Sequence, residues 1–286
     1  MNGVSLSLPW GADTVTASHE CLDLLDTLTV REAAPLPDPA NDMLRQLENS
    51  AESTSSALAG LFPGTRVCII VSDATRRTGV HLLLPALLDA LAQRGVCRED
   101  VRFLVATGVH RAPTTAELER ILGPPLYRDF ADRIVAHDAD DTDGLRFLGN
   151  TRRGTPVWIN REALDADFLV VTGTVVLHYF AGYGGGRKAV VPGVAGRETI
   201  AANHALNLDP VSDRLNPAVR TGVTAGNPVA EDMAEAAAMV PVHLCVNTVL
   251  NRRGDICGVH TGTMAAAHAA ACRQAASLYQ VPLGES

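Results

Sequence analysis

Lys188 is the sole lysine among 24 cationic residues, the other 23 being arginines. It closes the run Gly182-Tyr183-Gly184-Gly185-Gly186-Arg187-Lys188. An arginine-rich chain meets its pairing needs with guanidinium, so a lysine beside three glycines points to chemistry that needs an amine. Amines lose protons and bond covalently to electrophiles, whereas arginine stays protonated. The competing reading is a compositional leftover on a loop. His178 lies ten residues before Lys188, and His204 sixteen after it. His178 reads as an acid/base group or as a satisfied core histidine. His204, ending a predicted helix over 196–204, reads as a functional imidazole or as a helix-terminal cation favoured by the macrodipole. His110 stands between Gly108 and Arg111 in a loop before a helix, a setting where function is commoner than packing. Arg76 either clamps an anion or pairs with Asp73. His19, His81, His137, His243, His260 and His268 lack such context and are read as structural or exposed.

The glycine run is no standard nucleotide motif. As a P-loop it has Arg187 where the second glycine belongs and Ala189 in place of the magnesium-binding hydroxyl. As a dinucleotide fingerprint it needs a helix directly afterwards, and Val190-Val191-Pro192-Gly193 stops one. Its physical content survives: glycines allow close backbone approach and expose N–H groups suited to an anion.

Regular elements must position these residues. Strands are predicted at Val4–Leu8, Arg66–Val71, Val101–Ala106, Ile134–Ala136, Val157–Ile159 and Asp167–Thr172. Helices are predicted from about Asp42 through Leu61, over Gly79–Gln93 and over Thr114–Leu122, the last opening on a capping box. A Pro-rich irregular stretch surrounds Ala34–Pro39. The alternation implies an α/β fold, an open, largely parallel, Rossmann-like sheet flanked by helices. Ligands of such sheets bind beyond the strands' carboxyl ends. Three strands are followed there by polar clusters: Ser72–Arg77, Thr107–Arg111, and Gly173-Thr174 leading to His178 and the glycine run. Parallel strands would bring Asp73, Arg76, His110, His178 and Lys188 to one crevice.

Composition excludes other classes. With 47% hydrophobic and 20% charged residues among 286, the chain reads as globular. No apolar run is long enough to cross a bilayer, and the start lacks the features of a secretory signal, so the cytoplasm is expected. Six scattered cysteines form no C-x-x-C pair, against a zinc ribbon or disulfide scaffold. Net charge is −8, concentrated in residues 1–60, so no broad basic face awaits nucleic acid.

Ser72-Asp73-Ala74-Thr75-Arg76, Ala106–Arg111 and the run from His178 through Pro192-Gly193 to Asn203-His204 together resemble the lactate racemase family, whose members depend on the nickel-pincer nucleotide. The similarity covers roughly residues 60–260. The resemblance implies that Lys188 joins this pyridinium mononucleotide covalently through a thioamide. His204 would complete the nickel's coordination beside a carbon and two sulfurs. His110 and His178 would be the paired acid/base catalysts while hydride moves between the substrate carbon and the pyridinium ring. Asp73, Thr75 and Arg76 would contact cofactor and substrate, with Arg76 clamping the carboxylate.

The implied activity is racemisation or epimerisation of a 2-hydroxy acid. Cofactor-making enzymes are implied partners; neither nucleic acid nor membrane is. Two departures stand out. Arg77 and Gly79 replace prolines common in the family, and the extra cation bears on substrate choice. The family's C-terminal domain, with its substrate-contacting lysine, is expected to be missing. That leaves a truncated or N-terminal-only form, or a site completed by another subunit or a homo-oligomer. Three regions are expected: N-terminal strands and an acidic helical segment packing on the core over 1–60, the cofactor-binding α/β domain over 61–286, and within it a terminal helix over 263–286. One rival is a non-catalytic module that binds or carries the cofactor. Another, a phosphate-ester hydrolase using Lys188 as a clamp, lacks the carboxylates to hold magnesium.

Overall fold

The computed structural model describes residues 4–20, 27–48, 57–212 and 214–281. Its elements, in chain order, begin with β1 (Val4–Trp10), β2 (Asp13–His19), α1 (Pro39–Glu48), β3 (Val67–Ser72), α2 (Leu84–Ala92), β4 (Val101–Ala106), α3 (Thr115–Leu122) and α4 (Pro124–Phe130). Then come β5 (Ile134–Ala136), β6 (Leu145–Asn150), β7 (Pro156–Asn160), α5 (Arg161–Leu164), β8 (Phe168–Thr174), β9 (Leu177–His178) and β10 (Gly182–Tyr183). The chain continues through α6 (Arg197–Ala205), α7 (Pro228–Ala238), β11 (Val242–Leu250), β12 (Ile256–Gly262) and α8 (Met264–Tyr279).

Arg31–Gln280 form one compact unit, built on a six-stranded sheet of order β12-β11-β8-β3-β4-β5. All neighbours are parallel except β12, antiparallel to β11 at the edge. The continuous apolar run Val67–Val71 needs cover on both faces, the mark of a central parallel strand. It receives that cover by alternation. Val67, Ile69 and Val71 join Phe103, Val170 and α1–α2 side chains in one core. Cys68 and Ile70 join Leu104, Val171, Val190 and Met233 in the other. From β3 the chain winds outward through β4 to β5, then returns to the other side of β3 as β8. The direction of winding therefore reverses between β3 and β8, and such a switch opens a crevice at the strands' carboxyl ends.

Several expectations are corrected. The helix predicted through Leu61 is described over Pro39–Glu48; residues 49–56 lie outside the described residues, and 57–60 form a turn rather than helix. The Val157–Ile159 strand pairs with β6 in a separate antiparallel hairpin rather than joining the main sheet. The Gly79–Gln93 helix divides into a 3-10 turn, Val80–Leu82, and α2, whose Pro85 has no N–H to continue the turn before it. The capping box of α3 is present: Thr114 Oγ1 accepts from Glu117 N and Glu117 accepts from Thr114 N. The described residues before Arg31 fall in a second unit. In the other unit, β1 and β2 form a hairpin turning at Gly11-Ala12, with Trp10 opposite Asp13; Gly11 takes the positive φ that such a tight turn requires. Among the described residues, no helix is long and apolar enough to cross a membrane.

Candidate active site

The three polar clusters meet beyond the carboxyl ends of β8, β3 and β4, adjacent strands in that order. Asp73, Arg76, His110, His178, Lys188 and His204 all line one cavity of about 230 Å³. Thr75 does not line it. Its hydroxyl and its backbone N–H both donate to Asp73 Oδ1, at 2.7 and 3.2 Å. It thereby fixes a carboxylate whose other oxygen, Oδ2, lies 2.5 Å from His110 Nδ1. Asp73 is buried and His110 is 48% exposed at the cavity rim. The His110 loop is tied down by Gly108 N–H donating to Gly193 O at 2.9 Å. An Asp-backed imidazole carries its proton on Nδ1, which leaves the Nε2 lone pair free to take one.

His178 has the opposite arrangement. It begins the β9–β10 hairpin, and its Nδ1 accepts from the backbone N–H groups of Phe180 and Ala181 at 3.1 and 3.2 Å. Its neutral ring therefore holds the proton on Nε2. The ring stacks on exposed Tyr179, centroids 4.8 Å apart. Burial, then the positive charges of Lys188, Arg76 and His204, push its pKa down to about 3. His204, in the last turn of α6, donates Nδ1–H to Ile200 O at 2.8 Å, which leaves Nε2 as a free lone pair. A carbonyl holding the far nitrogen is the usual preparation of an imidazole for a metal. Burial, then the Lys188 charge, lowers its pKa, against the raising effect of the Ile200 bond. Beside it, buried Asn203 donates to Val229 O and Asp232 Oδ2, anchoring α6.

Lys188 sits in the 3-10 turn Gly186–Ala189. It is half-buried and has no ion-pair or side-chain hydrogen-bond partner among the described residues. Burial, then the neighbouring Arg76 and Arg187 charges, lowers its pKa to about 8, so a sizeable share of the amine is neutral and nucleophilic near neutral pH. As the sequence required, no α-helix follows the glycine run until Arg197. The glycines serve close approach. A Cβ on Gly185 would stand 2.6 Å from Val175 and 2.8 Å from Asn247, and one on Gly186 would stand 2.7 Å from His268.

The sequence reading missed three residues that hold this loop. Buried Asn247 on β11 accepts the Gly186 N–H at 2.9 Å. Buried His268 on α8 donates Nε2–H to Gly184 O at 2.9 Å and accepts from Arg187 Nη1 at 3.2 Å. Arg187, itself buried, donates Nη2–H to Ala181 O. An asparagine inside the mostly apolar strand segment Leu244–Leu250 was a usable signal, because buried amides rarely go unsatisfied.

Among the described residues no group of three or more His, Cys, Asp or Glu converges, so a metal beside His204 would bring its other donors with it. A metal held in an organic pincer does so. An unpaired, half-buried amine and an imidazole with Nδ1 tied off suit that group.

The chain matches the family described as Lactate racemase N-terminal domain over residues 10–214. It is 34% identical over 284 residues to a protein named lactate racemase in Lactiplantibacillus plantarum, covering 98% of this chain and 64% of that protein. It is also 34% identical over 206 residues to the lactate racemase of Thermoanaerobacterium thermosaccharolyticum, covering 72% of this chain and 46% of that one. The solved lactate racemase apoprotein from T. thermosaccharolyticum superposes with a TM-score of 0.77 at 27% identity, over 96% of this chain and 63% of that one. A Thermotoga maritima protein, with a TM-score of 0.65 at 21% identity over 84% of this chain and 60% of its own, shares the fold. The chain thus spans less than two thirds of these relatives, and it belongs to the lactate racemase family, whose N-terminal domain it carries.

Proposed function

We propose that this chain is the cofactor-bearing part of a nickel-pincer-nucleotide-dependent racemase or epimerase acting on a 2-hydroxy acid. The observation that carries the reading is the convergence of His110, His178, Lys188 and His204 on one cavity, with the amine unpaired. Lys188 would hold the cofactor covalently and His204 would give its Nε2 to the nickel. When bound, the cofactor supplies the hydride acceptor.

The chain's own residues do the rest. Arg76 binds the substrate carboxylate through its guanidinium. His110 Nε2 takes the hydroxyl proton, and the Asp73 carboxylate at Nδ1 stabilises the imidazolium that forms. His178 presents its Nε2–H to the other side of the reacting carbon. Burial chiefly, and then the Lys188 charge, depress His178, and with Lys188 holding the cofactor that charge would be absent. His178 would then take up a proton more readily.

The test is a chiral assay of several 2-hydroxy acids with cofactor-loaded protein, alongside nickel analysis. Interconversion lost in both His110→Ala and His178→Ala, with nickel retained, supports the reading. Bound nickel without interconversion of any of them assigns a carrier role instead, and full activity in both variants removes the acid/base assignment.

A further inference from the structure

A second chamber of about 420 Å³ adjoins the first, and Ser72 and Arg76 belong to both walls. Its polar lining includes Thr75, Arg76, Arg77, Thr78, His81 and Arg120, and no Asp or Glu lines it. Such a lining is unusual in a chain with 32 acidic and 24 basic residues. A neighbouring arginine has its partner: Arg111 is bidentate to Glu117. Neither Arg76 nor Arg77 has an ion pair or a side-chain hydrogen bond among the described residues. Arg120 has only a long contact, 3.9 Å, to Glu117, whose oxygens already accept from Arg111 and the Thr114 N–H.

The Arg77 guanidinium has a shaped seat. It lies over Gly254, where an added Cβ would fall 2.3 Å from Arg77 Cζ. Gly254 also has φ +87°, a conformation that other side chains rarely adopt. Burial holds the His81 pKa below its ordinary value, so His81 serves as a neutral hydrogen-bonding group.

We infer that this chamber receives a second anionic group of the substrate, making the preferred class a 2-hydroxy acid with a distal carboxylate or phosphate. Arg76, common to both walls, takes the carboxylate next to the reacting carbon, while Arg77 and Arg120 take the distal anion. Planar guanidinium groups bind such oxyanions bidentately. The inference rests on reading the first chamber as the hydroxy-acid site.

Isothermal titration of the chain with L-malate, L-lactate, succinate and inorganic phosphate tests it without turnover. Malate is expected to bind about tenfold more tightly than lactate, the scale of one added charge-assisted contact. Arg77→Ala and, independently, Arg120→Ala should each shrink the malate-to-lactate ratio severalfold. Equal malate and lactate affinity, or no malate binding at millimolar concentration, overturns the inference. So does an Arg77-dependent phosphate site without malate preference, which would assign the chamber to a cofactor phosphate. Succinate lacks the hydroxyl; if it binds as well as malate and depends on Arg77, the anion chamber stands and the hydroxy-acid reading of its neighbour fails.

Discussion

At the β3–β4 end of the cavity, His110 stands half exposed with a buried carboxylate on its Nδ1. At the β8 end, His178 lies among Lys188, Arg76 and His204, with two backbone N–H groups on its Nδ1. One residue type is thus set to opposite tasks by what touches its far nitrogen. An acceptor at Nδ1 prepares a base at Nε2, whereas a donor at Nδ1 leaves Nε2–H as a hydrogen-bond donor there. The two walls are therefore not interchangeable, and neutralising Lys188 acts on one wall more than the other.

The largest effect that would break this asymmetry falls on Asp73. Asp73→Asn should lower kcat for racemisation by roughly 10²-fold or more with a smaller change in KM, since an orienting carboxylate acts in the transition state. Thr75→Val should cost less, about tenfold, because it reaches His110 through Asp73. An Asp73→Asn enzyme as fast as the parent would remove the claim that His110 is carboxylate-backed for a purpose.

Next in size are changes to the loop behind Lys188. Asn247→Ala leaves the buried Gly186 N–H without an acceptor and should cost about 1–3 kcal/mol in urea denaturation. Gly186→Ala forces a Cβ onto His268 at a positive φ and should cost about 1–3 kcal/mol. An unchanged urea midpoint in either variant would show that the loop is held by something else.

The crevice at the ends of β3, β4 and β8 was legible in sequence because each strand-like run is short and followed within a few residues by polar Asp, Thr, His or Arg. The roles within it were less legible. Thr75 lines the neighbouring chamber and also braces Asp73, and no spacing rule separates the two roles. Asn247 and His268 escaped because they lie 61 and 81 residues from their Gly186 and Arg187 partners; only the sheet order and the path of α8 bring them together. The first helix was extended to Leu61, where residues 57–60 form a turn instead.

Smaller effects sharpen the electrostatic half of the comparison. Lys188→Met removes a cation, so the His178 pKa should rise from about 3 toward its ordinary value, read by NMR titration of the ring protons. A fall, or no movement, would place the amine elsewhere. Folding should also respond to acid. His178 and His268 have folded pKa values lowered to about 3 and about 4, chiefly by burial. Below about pH 6.5 the unfolded chain takes up those protons first. Their contribution to stability is thus present above that pH and lost as pH falls toward 4 and below. The urea midpoint should decline over that window, and His178→Phe should flatten part of the slope. An identical slope in the variant would contradict the assignment.

The most direct measurement is the intact mass of the protein produced together with the cofactor-making enzymes, with Lys188→Arg as control. The account predicts a covalent adduct on the parent chain, mapped to Lys188, and none on the variant. Absence of any adduct under conditions that load a lactate racemase, or an adduct that persists in Lys188→Arg, would contradict it.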